Sequence, residues 1–350
     1  MASCTIYYPG LLGPDVNLND LDSSEWPESD QYNSLCKLLS HGKRQPLPRK
    51  GLEARILECL GIESQHNDHL PISYFRVTDN SLANENLWCL DPVCVQIDRD
   101  QAILAANESL NLSQSEALEI IDDLNSHFFQ DGLQVHYHSE HQWLLSGELD
   151  LVTAGMSDAM YQNIHEFQPK GKDESRWRSI ITEVQMLLHL HPVNQKRMEK
   201  GELTVNSLWI WGKGKPLKID KQVNIVFSND TFSKCVANTL NIKHMALAGS
   251  MDERDVKNND SLFIYTEQLK AVKSNDVFSW FDWLRLFDST VLRSLLDMLQ
   301  RGEIDEINLK SDTFAVSVVM KDLKKPFWRI FRRTESFKKN ISDLRDQYGY

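Results

Sequence analysis

Short apolar runs alternate with helical segments through the second half of the chain, and this alternation constrains the fold most strongly. The predicted strands lie at about 205–211, 222–227, 261–265, 304–309 and 313–320, and helical patterns cover 232–240 and 277–300. The first three strands are apolar and separated by enough chain for crossovers, so they predict neighbouring strands of one mainly parallel sheet. The predicted fold class is α/β: a layered, mainly parallel sheet flanked by helices, with antiparallel strands at its edges.

The first half of the chain carries sparser signals. Ser113-x-x-Glu116 is a capping box, and the apolar stripe after it predicts an amphipathic helix that reaches Phe128. Polar residues and prolines between 15 and 50 predict a surface segment. The other predicted elements are a strand at 3–8, a helix at 52–60 closed by Gly61, one or two strands over 87–97 broken at Pro92, a hairpin at 133–138 and 141–146, and a helix at 174–190.

A chain of 350 residues is long enough for two domains or one large one. We expect an N-terminal α/β region over 1–200, with a smaller subdomain near 87–150. The C-terminal part of the sheet domain then occupies 201–335, and a tail occupies 336–350.

Composition excludes several classes of protein. Apolar residues make up 41% of the chain, enough for a packed core, but no apolar run approaches the length of a membrane span. The N-terminus lacks the basic and apolar regions of a signal peptide, so we expect a cytoplasmic protein. The formal net charge of −12 repels a phosphate backbone and argues against general nucleic-acid binding. Six scattered cysteines without a Cys-x-x-Cys pair indicate reduced thiols.

The densest local signal runs from the end of the helix at 174–190 into the apolar strand at 205–211 and a glycine turn. The candidate ligand-binding residues of this stretch are its polar side chains and the two turn glycines: His191, Asn194, Arg197, Asn206, Gly212, Lys213, Gly214 and Lys215. Glycine lets an anion approach backbone amides without a Cβ in the way, so these residues predict a corner that binds a phosphorylated acid. The alternative is structural: helix ends, caps, satisfied buried backbone and solvated lysines.

Three further groups each allow a functional and a structural interpretation. His136, His138 and His141 have a spacing that can hold zinc, although surface histidines give the same pattern. The aromatic helix at 278–287 is either buried between layers or a partner surface. The basic, aromatic segment at 321–339 is either a solvated tail or a surface for an anionic membrane or nucleic acid.

The corner also carries a family resemblance. His-Pro-Val-Asn at 191–194 with Arg197 and Gly201 downstream, then Asn206 before the strand and Gly-x-Gly after it, resembles a known pattern. It is that of the archaeal-type, cofactor-independent phosphoglycerate mutases of the alkaline phosphatase superfamily. This likeness is strong only over about 183–216.

Over roughly 5–335 the chain resembles the bacterial RpfE-type regulatory proteins. The segments that carry this resemblance are Tyr8-Pro9-Gly10-Leu11-Leu12, Asp91-Pro92-Val93, Asp98-Arg99-Asp100, and the helix from Trp177 to His189. The resemblance implies a phosphoglycerate-mutase-like scaffold and a regulatory role, but no molecular mechanism.

The mutase resemblance further implies two divalent metals held by aspartates and histidines, and a serine that carries the phosphoryl group. In that family an early aspartate follows the first strand, and later ligands come from the final third of the chain. Here the first acid after the first strand is Asp15, and residues 245–350 contain no histidine. The sequence therefore predicts a scaffold without catalytic residues, bound metal or cofactor.

The favoured function is a regulatory or small-ligand-sensing protein, with a phosphorylated small molecule as its candidate ligand. Two alternatives stay open. One is a metal-dependent phosphoglycerate mutase or phosphatase with a rearranged site. The other is a protein-interaction module that binds a protein partner through the aromatic helix or the basic tail.

Overall fold

A computed structural model describes residues 2–22, 24–64, 70–77, 87–98, 101–214, 216–220, 223–247, 252–323 and 335–349. Its strands are β1 (Ser3–Tyr7), β2 (Lys43–Pro46), β3 (Ile62–Ser64), β4 (Trp88–Asp98), β5 (Gln101–Ala106), β6 (Gln134–Ser139), β7 (Gln142–Ser146), β8 (Ser207–Trp211), β9 (Pro216–Ile219), β10 (Ile225–Ser228), β11 (Lys243–Met245), β12 (Ser261–Ile264), β13 (Glu306–Lys310) and β14 (Phe314–Val319). Its helices are α1 (Asn33–His41), α2 (Leu52–Cys59), α3 (Ile72–Arg76), α4 (Gln114–Phe128), α5 (Met156–Ala159), α6 (Glu174–Leu190), α7 (Pro192–Glu199), α8 (Thr231–Thr239), α9 (Glu253–Lys257), α10 (Leu269–Lys273), α11 (Val277–Phe287), α12 (Arg293–Arg301), α13 (Met320–Leu323) and α14 (Phe337–Tyr348).

The chain divides by its contacts into two compact units. Unit 1 comprises residues 1–50, 55–61 and 220–350, and unit 2 comprises 51–54 and 62–219. The chain leaves unit 1 after its first elements and returns at Asp220, so this division differs from the expected boundary after residue 200. The subdomain expected near 87–150 lies within unit 2.

Unit 1 is built on a seven-stranded sheet in the order β11-β10-β12-β1-β13-β14-β2. The pairs from β11 to β13 are parallel, and β14 and β2 add antiparallel pairs at one edge. Cys4 of β1 is level with Ser261 of β12 on one side and Ile307 of β13 on the other. The predicted α/β fold with a mainly parallel sheet and antiparallel edge strands is confirmed.

Helices cover one face of this sheet because alternate residues of the strands form an apolar surface on that face. Ile6 and Phe227 belong to the same buried cluster as residues of α1, α11, α12 and α14. The helix predicted over 277–300 is present as α11 and α12, joined by a π-helical turn at Asp288–Leu292. Its buried residues confirm the interpretation that the aromatic helix packs into the core, although Phe278 and Leu286 remain exposed.

Unit 2 contains antiparallel sheets and a separate core. The strand order is β5-β4-β7-β6, with β8 also paired to β4, and β3 pairs with β9. The core lies between these strands and the helices α4 and α6. α4 begins at the predicted capping box, in which the Ser113 side chain accepts from the Glu116 amide and Glu116 accepts from Ser113.

One prediction about strand pairing was wrong. β8 pairs antiparallel with β4 in unit 2, whereas β10 and β12 are parallel neighbours in unit 1, so the three predicted strands do not share one sheet. All of β8 is buried, and a continuous apolar run does not distinguish a parallel strand from a covered antiparallel one. Of the two alternatives for 87–97, one strand or two, the structure has a single strand, β4, in which Pro92 pairs with Leu208.

Within the described residues, no helix is long and apolar enough to cross a membrane. The segment between 15 and 50, predicted as a polar surface stretch, contains α1 and β2. α1 was missed because its polar residues mask an apolar face formed by Leu35, Leu38 and Leu39.

Candidate functional site

The first part of the predicted corner lies at the junction of α6 and α7. His191 is buried and caps α7, with its Nδ1 accepting from the Val193 amide at 3.2 Å. Its Nε2 lies 3.1 Å from a carboxylate oxygen of Asp123. Asn194 donates to the carbonyls of Leu188 and Val205 at 2.7 and 2.6 Å and accepts from the Val205 amide at 3.0 Å. Asn194 therefore ties the end of α6 to the residues that precede β8.

Arg197 is also directed into the protein, and it is 2% exposed. Its Nε donates to the Leu203 carbonyl at 2.7 Å, and its terminal nitrogens donate to Glu116 and to the Leu110 carbonyl. Burial opposes ionisation of Glu116, but hydrogen bonds from Ser113 and Arg197 outweigh it and lower the pKa of this carboxyl group. The guanidinium thus joins three segments of unit 2.

The second part of the corner lies at the two ends of β8. The Asn206 side chain binds the backbone of Val95 in β4: it accepts from the Val95 amide at 2.7 Å and donates to the Val95 carbonyl at 2.8 Å. Gly212 has a φ of +67°, and a Cβ there would lie 2.8 Å from the Cβ of Ile72, so only glycine fits. Lys213 donates to the Leu149 carbonyl at 3.1 Å and lies 4.8 Å from the Trp88 ring. Gly214 also has a positive φ, of +153°, and Lys215 lies outside the described residues.

These positions do not converge. Asn194 contacts Val205 before β8, whereas Gly212 follows the end of β8. A strand rises by roughly 3.3 Å per residue, so Asn206 and Gly212 lie roughly 20 Å apart along β8. The expectation that His191, Asn194 and Arg197 meet the glycine turn around one phosphate was therefore wrong. A ligand-binding role for either half stays a prediction.

A buried ion pair in unit 2 was not predicted. Both terminal nitrogens of Arg76 donate to the Asp91 carboxylate, at 2.6 and 3.0 Å, and the two residues are 6% and 1% exposed. Trp211 Nε1 donates to the same carboxylate at 2.8 Å, and the Trp143 amide donates at 3.3 Å. The signal in the sequence was an acid within an apolar strand, because such a group needs a charged partner. This arrangement links β4 to β8.

The predicted histidine group does not form a metal site. His136 Nε2 hydrogen-bonds the Ser146 hydroxyl at 2.9 Å. Burial and then the Arg76 charge lower the pKa of His138. Across the part of the chain that the structure describes, no group of three or more His, Cys, Asp or Glu side chains is arranged to hold a metal ion.

A buried carboxyl pair lies at the start of α2. Glu53 is 3% exposed and accepts from the Ser157 amide at 3.1 Å. Its second carboxyl oxygen has no hydrogen-bond partner among the described residues. Burial and then the negative charge of Asp158 raise the pKa of Glu53, so the pair can hold a proton that an isolated carboxylate would release.

A serine and a histidine meet where β10 and β11 end in unit 1. The Ser228 hydroxyl lies 3.1 Å from His244 Nε2 and shares a hydrogen bond with the Ser233 hydroxyl. Burial and then Lys234 lower the pKa of His244, which favours its neutral form. A serine beside a neutral histidine resembles an activated nucleophile, but Ser228 is 0% exposed and closed to substrate.

Ligands of parallel α/β sheets bind beyond the carboxyl ends of the strands, and in unit 1 aromatic residues fill part of this edge. Tyr8 follows β1, and its ring lies 5.5 Å from Tyr265 and 4.7 Å from Phe287, measured between ring centres. Burial raises the pKa of Tyr8, so its hydroxyl stays protonated. Tyr8 therefore supplies no anionic metal ligand directly after β1.

A charged group, which we call the Arg55 cluster, occupies the same edge beside β1 and β13. It comprises Lys50, Arg55, Glu58, Lys310 and Asp312. Arg55 is fully buried and donates to both carboxylate oxygens of Glu58, at 3.1 and 2.9 Å. Lys50 Nζ lies 2.8 Å from Glu58, and Lys310 Nζ lies 3.9 Å from it. Asp312 accepts from the Gly10 amide at 2.7 Å, and burial raises its pKa.

The Arg55 cluster does not suit the two-metal centre that the mutase resemblance implies. Divalent metals need several anionic or neutral donors, whereas the cluster itself presents three cationic side chains beside the carboxyl groups of Glu58 and Asp312. Fixed positive charges beside β1 and β13 repel a divalent cation. The donor set present here therefore fits an anion better than a metal.

No family model matches the chain. In sequence it is similar to 2,3-bisphosphoglycerate-independent phosphoglycerate mutases. That of Methanosarcina mazei is 26% identical over 125 residues, covering 35% of this chain and 32% of the relative. The probable mutase of Geobacter sulfurreducens is 28% identical over 108 residues, covering 30% of this chain and 27% of the relative. The matches thus span about a third or less of each relative's length.

Two solved structures are similar to the chain. The PH0037 protein from Pyrococcus horikoshii has a TM-score of 0.54 at 15% identity, covering 91% of this chain and 87% of that protein. The cofactor-independent phosphoglycerate mutase from Thermoplasma acidophilum has a TM-score of 0.41 at 12% identity. The chain is thus similar in sequence to phosphoglycerate mutases over about a third of its length, and it shares an α/β fold with the PH0037 protein.

Proposed function

We propose that this chain is a cytoplasmic regulatory or small-ligand-sensing protein of the RpfE type, on a phosphoglycerate-mutase-like scaffold without a catalytic two-metal centre. The Arg55 cluster carries the proposal. At the carboxyl ends of β1 and β13, Lys50, Arg55 and Lys310 surround Glu58, and Tyr8 stands directly after β1 with a buried hydroxyl. Phosphoryl transfer of the mutase kind needs metal charge at the transferring group.

The sequence-predicted corner supports the same direction. Arg197 and Asn194 are held by hydrogen bonds to protein atoms, as they would be in a structural joint. Trp211, which precedes the Gly-x-Gly turn, donates to Asp91. Both observations favour a scaffold whose polar residues maintain the fold over one in which they carry out transfer.

The first test combines metal analysis with activity assays. Purified protein should contain far less than one Mn²⁺, Zn²⁺ or Mg²⁺ per chain and should not interconvert 2- and 3-phosphoglycerate when Mn²⁺ is added. It should also leave p-nitrophenyl phosphate intact. About two ions per chain together with metal-dependent turnover, as expected of a two-metal site, would establish the enzyme alternative instead.

The second test addresses sensing. Calorimetric titration of metal-free protein with 3-phosphoglycerate should give measurable binding, because a ligand sensor does not require a metal to recognise an anion. Failure to bind any phosphorylated three-carbon acid, combined with stable co-purification of one protein at a fixed ratio, would favour the protein-interaction module.

A further inference from the structure

The Arg55 cluster gathers more positive than negative charge at one place on an acidic chain. Lys50, Arg55 and Lys310 all approach one carboxylate, that of Glu58, while the chain as a whole carries a formal charge of −12. The other carboxyl group, Asp312, is engaged by the Gly10 amide. Even with both carboxyl groups ionised, the three cations leave the site with net positive charge.

Arg55 keeps one donor that its present partners, the Glu58 carboxylate and the Pro48 carbonyl, do not satisfy. The residue is 0% exposed, yet its Nε has no hydrogen-bond partner among the described residues. A buried donor without an acceptor is costly, and the guanidinium fork matches the oxygens of a phosphate group. Lys50 and Lys310 keep 27% and 24% of their side-chain surfaces exposed, so the cluster is reachable from solvent.

Glu58 occupies the centre of this site but is not locked there. Its side chain is 34% exposed, and among the described residues its carboxylate is held by ion pairs that a ligand can replace. Burial opposes its ionisation, but the Lys50 hydrogen bond and then the Arg55 and Lys310 charges lower its pKa, so the carboxylate is charged at neutral pH. Glu58 therefore resembles an internal substitute for an anionic ligand.

We propose that the Arg55 cluster is a phosphate-binding site in which Lys50, Arg55 and Lys310 hold the phosphate group of a small phosphorylated ligand after Glu58 turns towards solvent. This inference deepens the ligand-sensing function proposed above and rests on it. It places recognition at the carboxyl ends of β1 and β13, in unit 1, and not at the corner around His191 and Arg197.

The test is calorimetric titration of metal-free protein with inorganic phosphate, 3-phosphoglycerate and glycerate. Glu58→Gln removes the competing charge while keeping the shape, so phosphate should bind about tenfold more tightly. Lys310→Gln removes a partly exposed cation and should weaken binding about tenfold. Glycerate, which lacks the phosphate group, should bind more weakly than 3-phosphoglycerate.

Glu174→Gln is the matched control, because it makes the same charge change at an exposed ion pair in unit 2 and should bind phosphate as the parent does. The inference is wrong if neither the parent nor the Glu58→Gln protein binds phosphate, or if both site substitutions leave the affinity unchanged. Binding of 3-phosphoglycerate that ignores both substitutions would retain the sensing function and reject only this site. Metal-dependent turnover would reject the sensing function, whatever the response of phosphate binding to these substitutions.

Discussion

The buried pair of Arg76 and Asp91 gives the sharpest prediction about stability. The Asp91 carboxylate accepts from both terminal nitrogens of Arg76, from Trp211 Nε1 and from the Trp143 amide, and only 1% of Asp91 is exposed. Asp91→Asn keeps the shape of the side chain but removes its charge and replaces an accepting oxygen with a donating amide. The substituted side chain must then direct N–H groups at donors.

The expected cost follows from what Arg76 loses. Arg76 is 6% exposed, so water cannot replace the carboxylate, and the charge is left buried without its ion-pair partner. Breaking one side of such a pair costs about 3–5 kcal/mol. This is a large part of the roughly 5–15 kcal/mol by which a typical domain is stable. We therefore expect Asp91→Asn to destabilise unit 2 severely.

The assay is urea denaturation combined with hydrogen exchange of the β8 amides, which reports opening of this part of unit 2. Asp282→Asn is the control, because Arg285 and Asp282 also meet at 2.6 Å but keep 53% and 69% of their side chains exposed. An exposed pair contributes about 0–1 kcal/mol. Equal destabilisation by the two substitutions would refute the argument from burial.

Four further predictions concern single substitutions in unit 2. Glu53→Gln should be more stable than the parent, by a margin that grows as the pH rises above about 5. The reason is that Glu53, with its raised pKa, favours folding only while its carboxyl group is protonated. Equal pH profiles of stability would contradict the shared proton with Asp158. His138→Gln should reduce the stability that the protein loses between about pH 7 and 5, because a histidine whose folded pKa is lowered takes up its proton more readily in the unfolded chain. An unchanged dependence of the melting temperature on pH would contradict this prediction. Arg197→Ala should lower the free energy of unfolding in urea by about 3–5 kcal/mol, since Glu116 and two backbone carbonyls lose their donor. An intact fold with weakened 3-phosphoglycerate binding would instead support a ligand-binding role for Arg197. Asn194→Ala should cost about 2–3 kcal/mol by leaving the buried backbone of Val205 unsatisfied, and a cost near zero would show that the junction relaxes.

Local patterns in the sequence were sufficient for most elements. The capping box at Ser113 and Glu116 fixes the start of α4, because both hydrogen bonds form within four residues of chain. The apolar stripe from Trp177 to Leu188 likewise predicts α6. These signals depend on residues that are neighbours in sequence, so they predict the helices whatever the tertiary arrangement.

Pairing between distant segments could not be read in the same way. β8 was assigned to the wrong sheet because its five buried residues would suit either a parallel or a covered antiparallel strand. The Arg55 cluster is not visible in the sequence, because Lys50 and Arg55 are close together but Lys310 joins them only when β13 is placed beside β1. His191, Asn194 and Arg197 form a visible motif because they are close in sequence, yet all three are buried.

The position of β1 has a consequence for synthesis of the protein. β1 pairs with β12 and β13, so residues 3–7 cannot join the sheet until residues 261–264 and 306–310 have been made. Unit 2, by contrast, is almost continuous from residue 62 to 219 and can close its sheets while later residues are still being added. Because domains generally fold as units while the ribosome is still at work, unit 2 should form before the sheet of unit 1. β1 is made before unit 2 but pairs after it, so this apolar strand lacks its neighbours in the sheet until about 300 further residues have been added.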